Sequence, residues 1–245
     1  MKALAEAITE IARAAGVEIL AVRKRGAAVR EKADRSPVTD ADEAANALIV
    51  ARLRALTPDI PIIAEESVAA GDIPAIGPRF WLVDPLDGTR EFIADRDEFT
   101  VNIALIEEGR PTLGVVGVPA RNELYGGAAD LGAWSENGPI AARPVPDTDP
   151  LAVASRSHGS IETEAWLDNH GITHTIRAGS SVKFCRLAEG AADLYPRFGR
   201  TMEWDTAAGH AVLVAAGGSV RILDGTDLLY GKPGFENPHF IARGA

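Results

Sequence analysis

The sequence predicts a mixed fold of the α/β class, layered in the α+β manner, and three observations lead to this prediction. Residues 1–56 carry the apolar periodicity of two amphipathic helices. Residues 61–125 contain short apolar runs separated by glycine and proline, which is typical of a largely antiparallel sheet. Beyond residue 150, short apolar runs alternate with helical patterns, as they do in α/β proteins.

Composition and charge restrict the class of protein. The 245 residues include 25 Lys and Arg against 35 Asp and Glu, which gives a net charge of −10, and 46% are hydrophobic. Such a chain can bury a sizeable core, and its negative charge argues against binding to nucleic-acid polymers. No apolar stretch approaches the roughly 18 residues of a membrane span. Because Cys185 is the single cysteine, no internal disulfide can form, and we expect a cytoplasmic protein.

The N-terminal region is predicted to contain two helices. The first should end near Gly26. Thr39 and Asp40 should begin the second, with Glu43 as the capping partner and Pro58 as the stop. The apolar face of the first helix consists of Leu4, Ile8, Ile11, Ala15, Ile19 and Val22.

Strands dominate the next segment, and a second half of mixed composition follows it. The first group of β-like runs covers 61–64, 80–83, 100–106, 113–118 and 123–125. A proline-rich stretch at 141–150 is predicted to be a linker, so that the halves are 1–145 and 146–245. The second half should contain strands at 152–155, 173–176 and 192–195 and helices at 161–169, 181–188 and 205–216.

The most informative segment is DPLDGT at 84–89, which follows an apolar run. Pro85 fixes φ and Gly88 permits a tight bend, so Asp84 and Asp87 can converge at the end of a strand. Such a pair of carboxylates favours Mg²⁺ over zinc, since no Cys/His cluster accompanies it. A plain turn is the alternative. The five specified residues, however, occur by chance in such a chain with a probability on the order of 10⁻⁴.

Further acidic positions could complete such a site. Glu65 and Glu66 follow the apolar run 60–64 at a predicted strand end. Asp205 begins the last predicted helix, and Asp40 begins the second one. On spacing alone, a solvated corner for the two glutamates and helix caps for the two aspartates remain open alternatives.

Three segments resemble the signature segments of the inositol monophosphatase superfamily of Mg²⁺-dependent, lithium-sensitive phosphatases. They are AEES at 64–67, DPLDGT at 84–89 and WDTAAG at 204–209. Within that superfamily, further segments resemble the bacterial CysQ type of 3'(2'),5'-bisphosphate nucleotidase. These are DPLDGTREFI, EFTVNIALIEEG, SRSH at 155–158, GSSVKF at 179–184, LYPRFG at 194–199 and EWDTAAGHAV at 203–212. One departure, AEESVAAG, resembles the inositol phosphatase version and bears only on substrate choice.

The resemblance implies a fold, a cofactor and a catalytic group. The fold would be the layered αβαβα sandwich of the inositol monophosphatase and fructose-1,6-bisphosphatase type. Two or three Mg²⁺ ions would be bound, and Thr89, hydrogen-bonded to Asp40, would orient and help to deprotonate the attacking water beside Glu65. The implied metal ligands are the carboxylates of Glu65, Asp84, Asp87 and Asp205 and the backbone carbonyl of Leu86.

The resemblance also implies a small phosphorylated nucleotide as substrate. The reaction would be hydrolysis of adenosine 3',5'-bisphosphate (PAP) to AMP and phosphate, a step that clears a by-product of sulfate assimilation. Since one phosphate does not react, cationic groups away from the Mg²⁺ ions should bind it. The expected substrate contacts are Asp87, Gly88, Thr89, Ser155, His158, Ser180, Lys183, Arg197 and Asp205.

Several alternatives stay open at this point. Taken singly, Ser180, Lys183, Arg197 and His158 each have a structural alternative as a cap, a solvated side chain or a backbone partner. An inositol-1-phosphatase or a broader sugar phosphatase is the alternative enzyme, and a nucleotide sensor without turnover is the alternative class. The sequence leaves open whether the protein is a monomer or a homodimer and whether it attaches peripherally to the inner membrane.

Overall fold

Two sheets and the helices around them form the described part of the chain. The computed structural model describes residues 1–32, 35–156 and 159–245. The helices of this part are α1 (Lys2–Arg25), α2 (Asp40–Leu56), α3 (Glu65–Ala69), α4 (Thr89–Ile93), α5 (Ile161–Asn169), α6 (Val182–Ala188) and α7 (Glu203–Ala215). Its strands are β1 (Val29–Glu31), β2 (Pro37–Thr39), β3 (Ile62–Ala64), β4 (Arg79–Asp87), β5 (Thr100–Glu107), β6 (Arg110–Val118), β7 (Glu123–Ala128), β8 (Gly132–Ser135), β9 (Gly138–Ile140), β10 (Ala152–Ser155), β11 (Thr175–Ala178), β12 (Leu194–Arg197), β13 (Ser219–Ile222) and β14 (Phe240–Arg243).

The larger sheet has seven strands in the order β3-β4-β5-β6-β7-β8-β9. Only β3 runs parallel to its neighbour; the other pairs are antiparallel, as the spacing of the apolar runs predicts. The smaller sheet has five strands in the order β11-β10-β12-β14-β13. Its first three strands are parallel, and β14 is antiparallel to both of its neighbours. Strands β1 and β2 form a separate two-stranded ribbon.

Helices cover the apolar faces of the two larger sheets, and this gives the molecule five layers. Helices α1 and α2 pack on one face of the large sheet, where Trp81 is fully buried. Helices α6 and α7 fill the space between the two sheets, around Phe184. Helix α5 covers the outer face of the small sheet through Leu167. The predicted αβαβα sandwich is therefore confirmed.

Most elements begin and end close to the predicted positions. Helix α1 ends at Gly26, whose φ of 86° an L-residue rarely adopts. Helix α2 has Thr39 as its N-cap, and the capping partner is Asp42 rather than the predicted Glu43. Helix α5 matches its predicted range, and residues 141–150 lie outside helices and strands. The sequence patterns did not predict β1, β2, β8, β9, β13 or β14.

The structure bears on the expectations for Cys185 and for a membrane-spanning segment. Cys185 is fully buried in α6, as expected for a structural thiol, and burial raises the pKa of that thiol well above its usual range. Within residues 1–32, 35–156 and 159–245, no helix combines the length and the apolar character that crossing a membrane requires.

Candidate active site

A cleft of about 600 Å³ collects most of the predicted site residues. It lies where the end of β4 and the start of α4 face the segments that begin α6 and α7. The predicted residues that line it are Glu65, Asp84, Leu86, Asp87, Gly88, Thr89, Ser155, Ser180, Lys183, Arg197 and Asp205. The prediction for His158 falls outside the described residues.

The two aspartates of the DPLDGT segment reach the cleft because β4 is irregular at its end. Its pairing with β5 shifts register between Asp84 and Asp87. The backbone N–H of Leu86 donates to Asp84 Oδ1 over 3.1 Å, which closes a local turn. Gly88 has a φ of 93° and begins the short helix α4, as predicted. The irregular end thus presents both carboxylates to the same cleft.

Glu65 and Asp205 arrive from two other elements. Ala64 pairs with Val83 in the parallel strands β3 and β4, so Glu65 emerges beside the end of β4. Asp205 lies in the first turn of α7, and its Oδ2 accepts a hydrogen bond of 2.8 Å from the backbone N–H of Met202. Its side chain therefore caps the helix and lines the cleft at once.

The predicted bond between Thr89 and Asp40 is wrong, because Asp42 takes that place. Thr89 Oγ1 donates to Asp42 Oδ1 over 2.9 Å. Asp40 Oδ1 instead accepts from the backbone N–H of Ala28 over 3.0 Å, and its Oδ2 lies 3.4 Å from Arg25 Nη2. Asp40 is therefore turned away from Thr89 and binds the chain that precedes β1.

The position of the helix cap explains this correction. Thr39 is the N-cap of α2, which puts Asp42 at the third helical position. From there Asp42 Oδ2 accepts from the Thr39 backbone N–H at 2.8 Å and from its hydroxyl at 2.6 Å. Oδ1 remains for Thr89. The signal in the sequence was a threonine followed three residues later by an acid.

The acids of the cleft share a strongly negative environment. Burial raises the pKa of Asp84 well above its usual value, and the charges of Glu65, Asp87 and Asp205 raise it further. Burial likewise raises the pKa of Asp205, with the next contributions from Asp87 and Glu65. Each acid is thus close enough to the others to oppose their ionisation.

One lysine compensates part of this charge. Lys32 Nζ lies 2.8 Å from Glu65 Oε1 and 2.7 Å from Glu66 Oε1. Burial still raises the pKa of Glu66 to about 7, despite the ion pair with Lys32. The remaining carboxylates of the cluster have no comparably close ammonium group among the described residues.

The oxygen atoms of the cleft acids suit a hard divalent cation, although these side chains do not converge on a single ion position in this structure. Among the described residues, no three Asp, Glu, His or Cys side chains stand close enough together to hold a metal ion. The carboxylates are instead engaged by the Lys32 ammonium and by backbone N–H groups. Carboxylate oxygens are nevertheless the protein ligands that Mg²⁺ prefers. A cation would compete with these internal partners for the same oxygens.

The second half of the chain brings polar and basic groups to the same cleft. Ser180 Oγ contacts Asp87 Oδ2 at short range, and Ser181 Oγ lies 3.3 Å from that oxygen. Lys183 Nζ donates to the Ser180 carbonyl over 2.5 Å and lies 5.3 Å from the centre of the Tyr195 ring. Burial lowers the pKa of Lys183 to about 8. Arg197 is a further basic side chain of the lining, so the cleft holds acids and cations together.

Comparison with known proteins identifies relatives over nearly the whole chain. The chain matches the inositol monophosphatase family over residues 1–242. It is 48% identical, over 95% of its length and 96% of the relative, to the 3'(2'),5'-bisphosphate nucleotidase CysQ of Escherichia coli O6:H1. The crystal structure of CysQ from Bacteroides thetaiotaomicron superimposes with a TM-score of 0.83 at 38% identity, covering 99% of this chain and 97% of that one. An inositol monophosphatase (IMPase) from Thermotoga maritima superimposes with a TM-score of 0.80 at 26% identity, covering 99% and 92%.

Proposed function

Because this chain belongs to the inositol monophosphatase family, we propose that it is a phosphatase that hydrolyses PAP to AMP and phosphate. The observation that carries the proposal is the lining of one cleft by a cluster of acids and by basic side chains, among them Lys183 and Arg197. A bisphosphorylated nucleotide has one phosphate for each of these groups. The relatives named CysQ, at 48% identity, support the same substrate.

The acids of the cleft would hold two or three Mg²⁺ ions. When bound there, magnesium would neutralise the phosphoryl oxygens and lower the pKa of a coordinated water. The chemistry of the donors supports this proposal, since all of them are oxygens and all but the Leu86 carbonyl belong to carboxylates. The proposed ligands are Glu65, Asp84, Asp87 and Asp205 with the carbonyl of Leu86.

Asp42 and Thr89 would position the attacking water. Thr89 Oγ1 donates its single hydrogen to Asp42 Oδ1, so the lone pairs of the hydroxyl oxygen are left to accept a hydrogen bond from water. A water that donates to Thr89 would be held in one orientation. As Thr89 takes up the water proton, it would pass its own proton to Asp42 through the existing hydrogen bond. Glu65, in the same cleft, is the other carboxylate proposed to assist the water.

The groups contributed by the second half would bind the nucleotide. Lys183 and Arg197 would take the phosphate that does not react, with Ser155, Ser180 and His158 around it. Gly88 and Thr89 line the cleft at the start of α4, and backbone N–H groups there would bind a phosphoryl oxygen. Asp87 and Asp205 are proposed to contact both the cation and the substrate.

An inositol phosphatase is the second candidate. The AEESVAAG segment and the structural likeness to a Thermotoga maritima IMPase favour it. The buried ammonium group of Lys183, however, could bind a second phosphate, and an inositol monophosphate does not have one. We place the enzyme in the cytoplasm, as a monomer or a homodimer.

A phosphate-release assay separates the candidates. PAP and inositol 1-phosphate are compared at equal Mg²⁺ concentration, and we expect the larger kcat/KM for PAP. A larger value for inositol 1-phosphate would favour the second candidate. Nucleotide binding without release of phosphate from either compound would indicate a sensor instead of an enzyme.

A further inference from the structure

Glu98 lies between α4 and β5 and joins the two halves of the chain. Its side chain is only 8% exposed. Oε1 accepts from Arg121 Nη2 over 2.7 Å and from Arg156 Nη2 over 3.1 Å. Oε2 accepts from Arg156 Nε and from the backbone N–H of Gly179, both over 2.8 Å. These four hydrogen bonds and the two arginines lower the pKa of Glu98 to about 2, despite its burial.

The bond to Gly179 fixes a turn that we call the serine turn, residues 179–181. This turn connects β11 to α6. A Cβ atom at Gly179 would lie 2.8 Å from the Glu98 carbonyl oxygen and 3.0 Å from its Cβ, so the two backbones touch. Ser180 follows with a φ of 50°, which is uncommon for a residue with a side chain. Side chain and backbone of Glu98 together determine where the serine turn lies.

The serine turn contacts Asp87 directly. Ser180 Oγ contacts Asp87 Oδ2 and also donates to the Asp87 carbonyl over 3.1 Å. Ser181 Oγ lies 3.3 Å from Asp87 Oδ2. Lys183 Nζ is held by the carbonyl of Ser180. A shift of the turn therefore moves both the partners of a proposed metal ligand and the ammonium proposed to bind phosphate.

We propose that Glu98 is a positioning residue that sets the affinity of the cleft for Mg²⁺ by holding the serine turn against Asp87. Glu98 does not line the cleft, so it acts through Gly179 and Ser180. The proposal rests on the proposed function only in taking Asp87 as a ligand of the cation. Groups that orient metal ligands commonly change metal affinity by about 10–100-fold when they are removed.

Asp193 provides a matched control for a merely structural role. It is also a buried carboxylate paired with an arginine: Arg143 donates to it over 2.7 and 2.8 Å. It also accepts from a backbone N–H, that of Leu151, over 2.7 Å. Asp193 does not line the cleft. Replacing it removes the same kinds of bond without touching the serine turn.

The test measures Mg²⁺ binding to the full chain by calorimetry, without substrate, for E98Q and D193N. All four partners of Glu98 are donors, so the amide NH₂ of a glutamine must face at least one of them and displace it. We expect the Mg²⁺ dissociation constant to rise about tenfold in E98Q and to stay within about twofold in D193N. Thermal unfolding of both variants gives the structural cost. Equal shifts of Mg²⁺ affinity in the two variants would overturn the proposal.

A double variant tests the route through the turn. If Glu98 acts through Ser180, adding E98Q to S180A should raise the dissociation constant by less than about twofold beyond S180A alone. A full additional tenfold rise would show that Glu98 does not act through Ser180 and would contradict the proposal. Should E98Q not fold, E98D keeps the charge but draws the carboxylate back from Gly179, and the same rise is expected; unchanged affinity would overturn it.

These measurements separate the two proposals. Mg²⁺ binding with no turnover of PAP would refute the proposed substrate and leave the role of Glu98 to be decided by the variants. Absence of Mg²⁺ binding in the unaltered protein would overturn both.

Discussion

The position of Asp42 in helix α2 determines which hydrogen bonds its side chain can form. Asp40 and Asp42 lie in the same first turn of α2, and both are acids. Only Asp42 lies at the third position, where a side chain reaches back over the helix end and still has one oxygen for Thr89. A shift of the cap by one residue would put Ala41 or Glu43 at the third position and remove Asp42 from it.

The two acids give a direct comparison of rates. D42N keeps the size of the side chain but weakens acceptance of the Thr89 proton, so kcat for PAP should fall by about 10²-fold or more. D40N removes only the ion pair with Arg25, since the amide oxygen can still accept from Ala28, and kcat should stay within about threefold. Steady-state phosphate release measures both. A larger loss in D40N than in D42N would restore the assignment made from sequence.

We expect Lys183 to make the binding of a bisphosphorylated substrate depend on pH. Its pKa is lowered to about 8, chiefly by burial, so the ammonium is charged below that pH and neutral above it. If it binds the phosphate that does not react, kcat/KM for PAP should fall as pH rises through about 8. K183A should raise KM for PAP, lose this dependence and spare a nucleoside monophosphate. Equal losses on both substrates would contradict the assignment.

Helix α7 packs closely against strand β6 and so determines the distance between its layer and the large sheet. Its backbone lies so close to β6 that a Cβ at Gly114 would be 2.5 Å from the carbonyl oxygen of Ala208 and 2.7 Å from Ala211 Cβ. The same helix carries Asp205 in its first turn. The close approach therefore holds one of the acids at a fixed depth beside the large sheet.

A pair of glycines on one strand tests this packing. G114A forces α7 away from β6, and we expect a loss of about 2–3 kcal/mol in the free energy of unfolding. Gly117 faces the other side of β6, where an added Cβ would find its nearest neighbours at 3.9 Å, so G117A should cost less than about 1 kcal/mol. Urea unfolding compares the two. Similar costs at both positions would show that contact with α7 does not set this distance.

Many helices and strands of the molecule can be predicted from the sequence, whereas the way they pack against one another can be predicted less fully. Strong periodicity predicted α1, and the density of acids and turn formers at 84–89 predicted the centre of the candidate site. The two short strands that form the β8–β9 hairpin have only one fully buried residue, Ala133, so they carry little apolar alternation. The contact of Glu98 with Gly179 spans 81 positions and leaves no local signal.

The proposal for the molecule as a whole is that acids from β4, α3 and α7 gather around shared divalent cations. Its most direct test is anomalous scattering from crystals grown with Mn²⁺ in place of Mg²⁺. We predict manganese peaks within coordination distance of Glu65, Asp84, Asp87 and Asp205. Peaks confined to other parts of the molecule, with these four side chains still bound to their internal partners, would contradict the account.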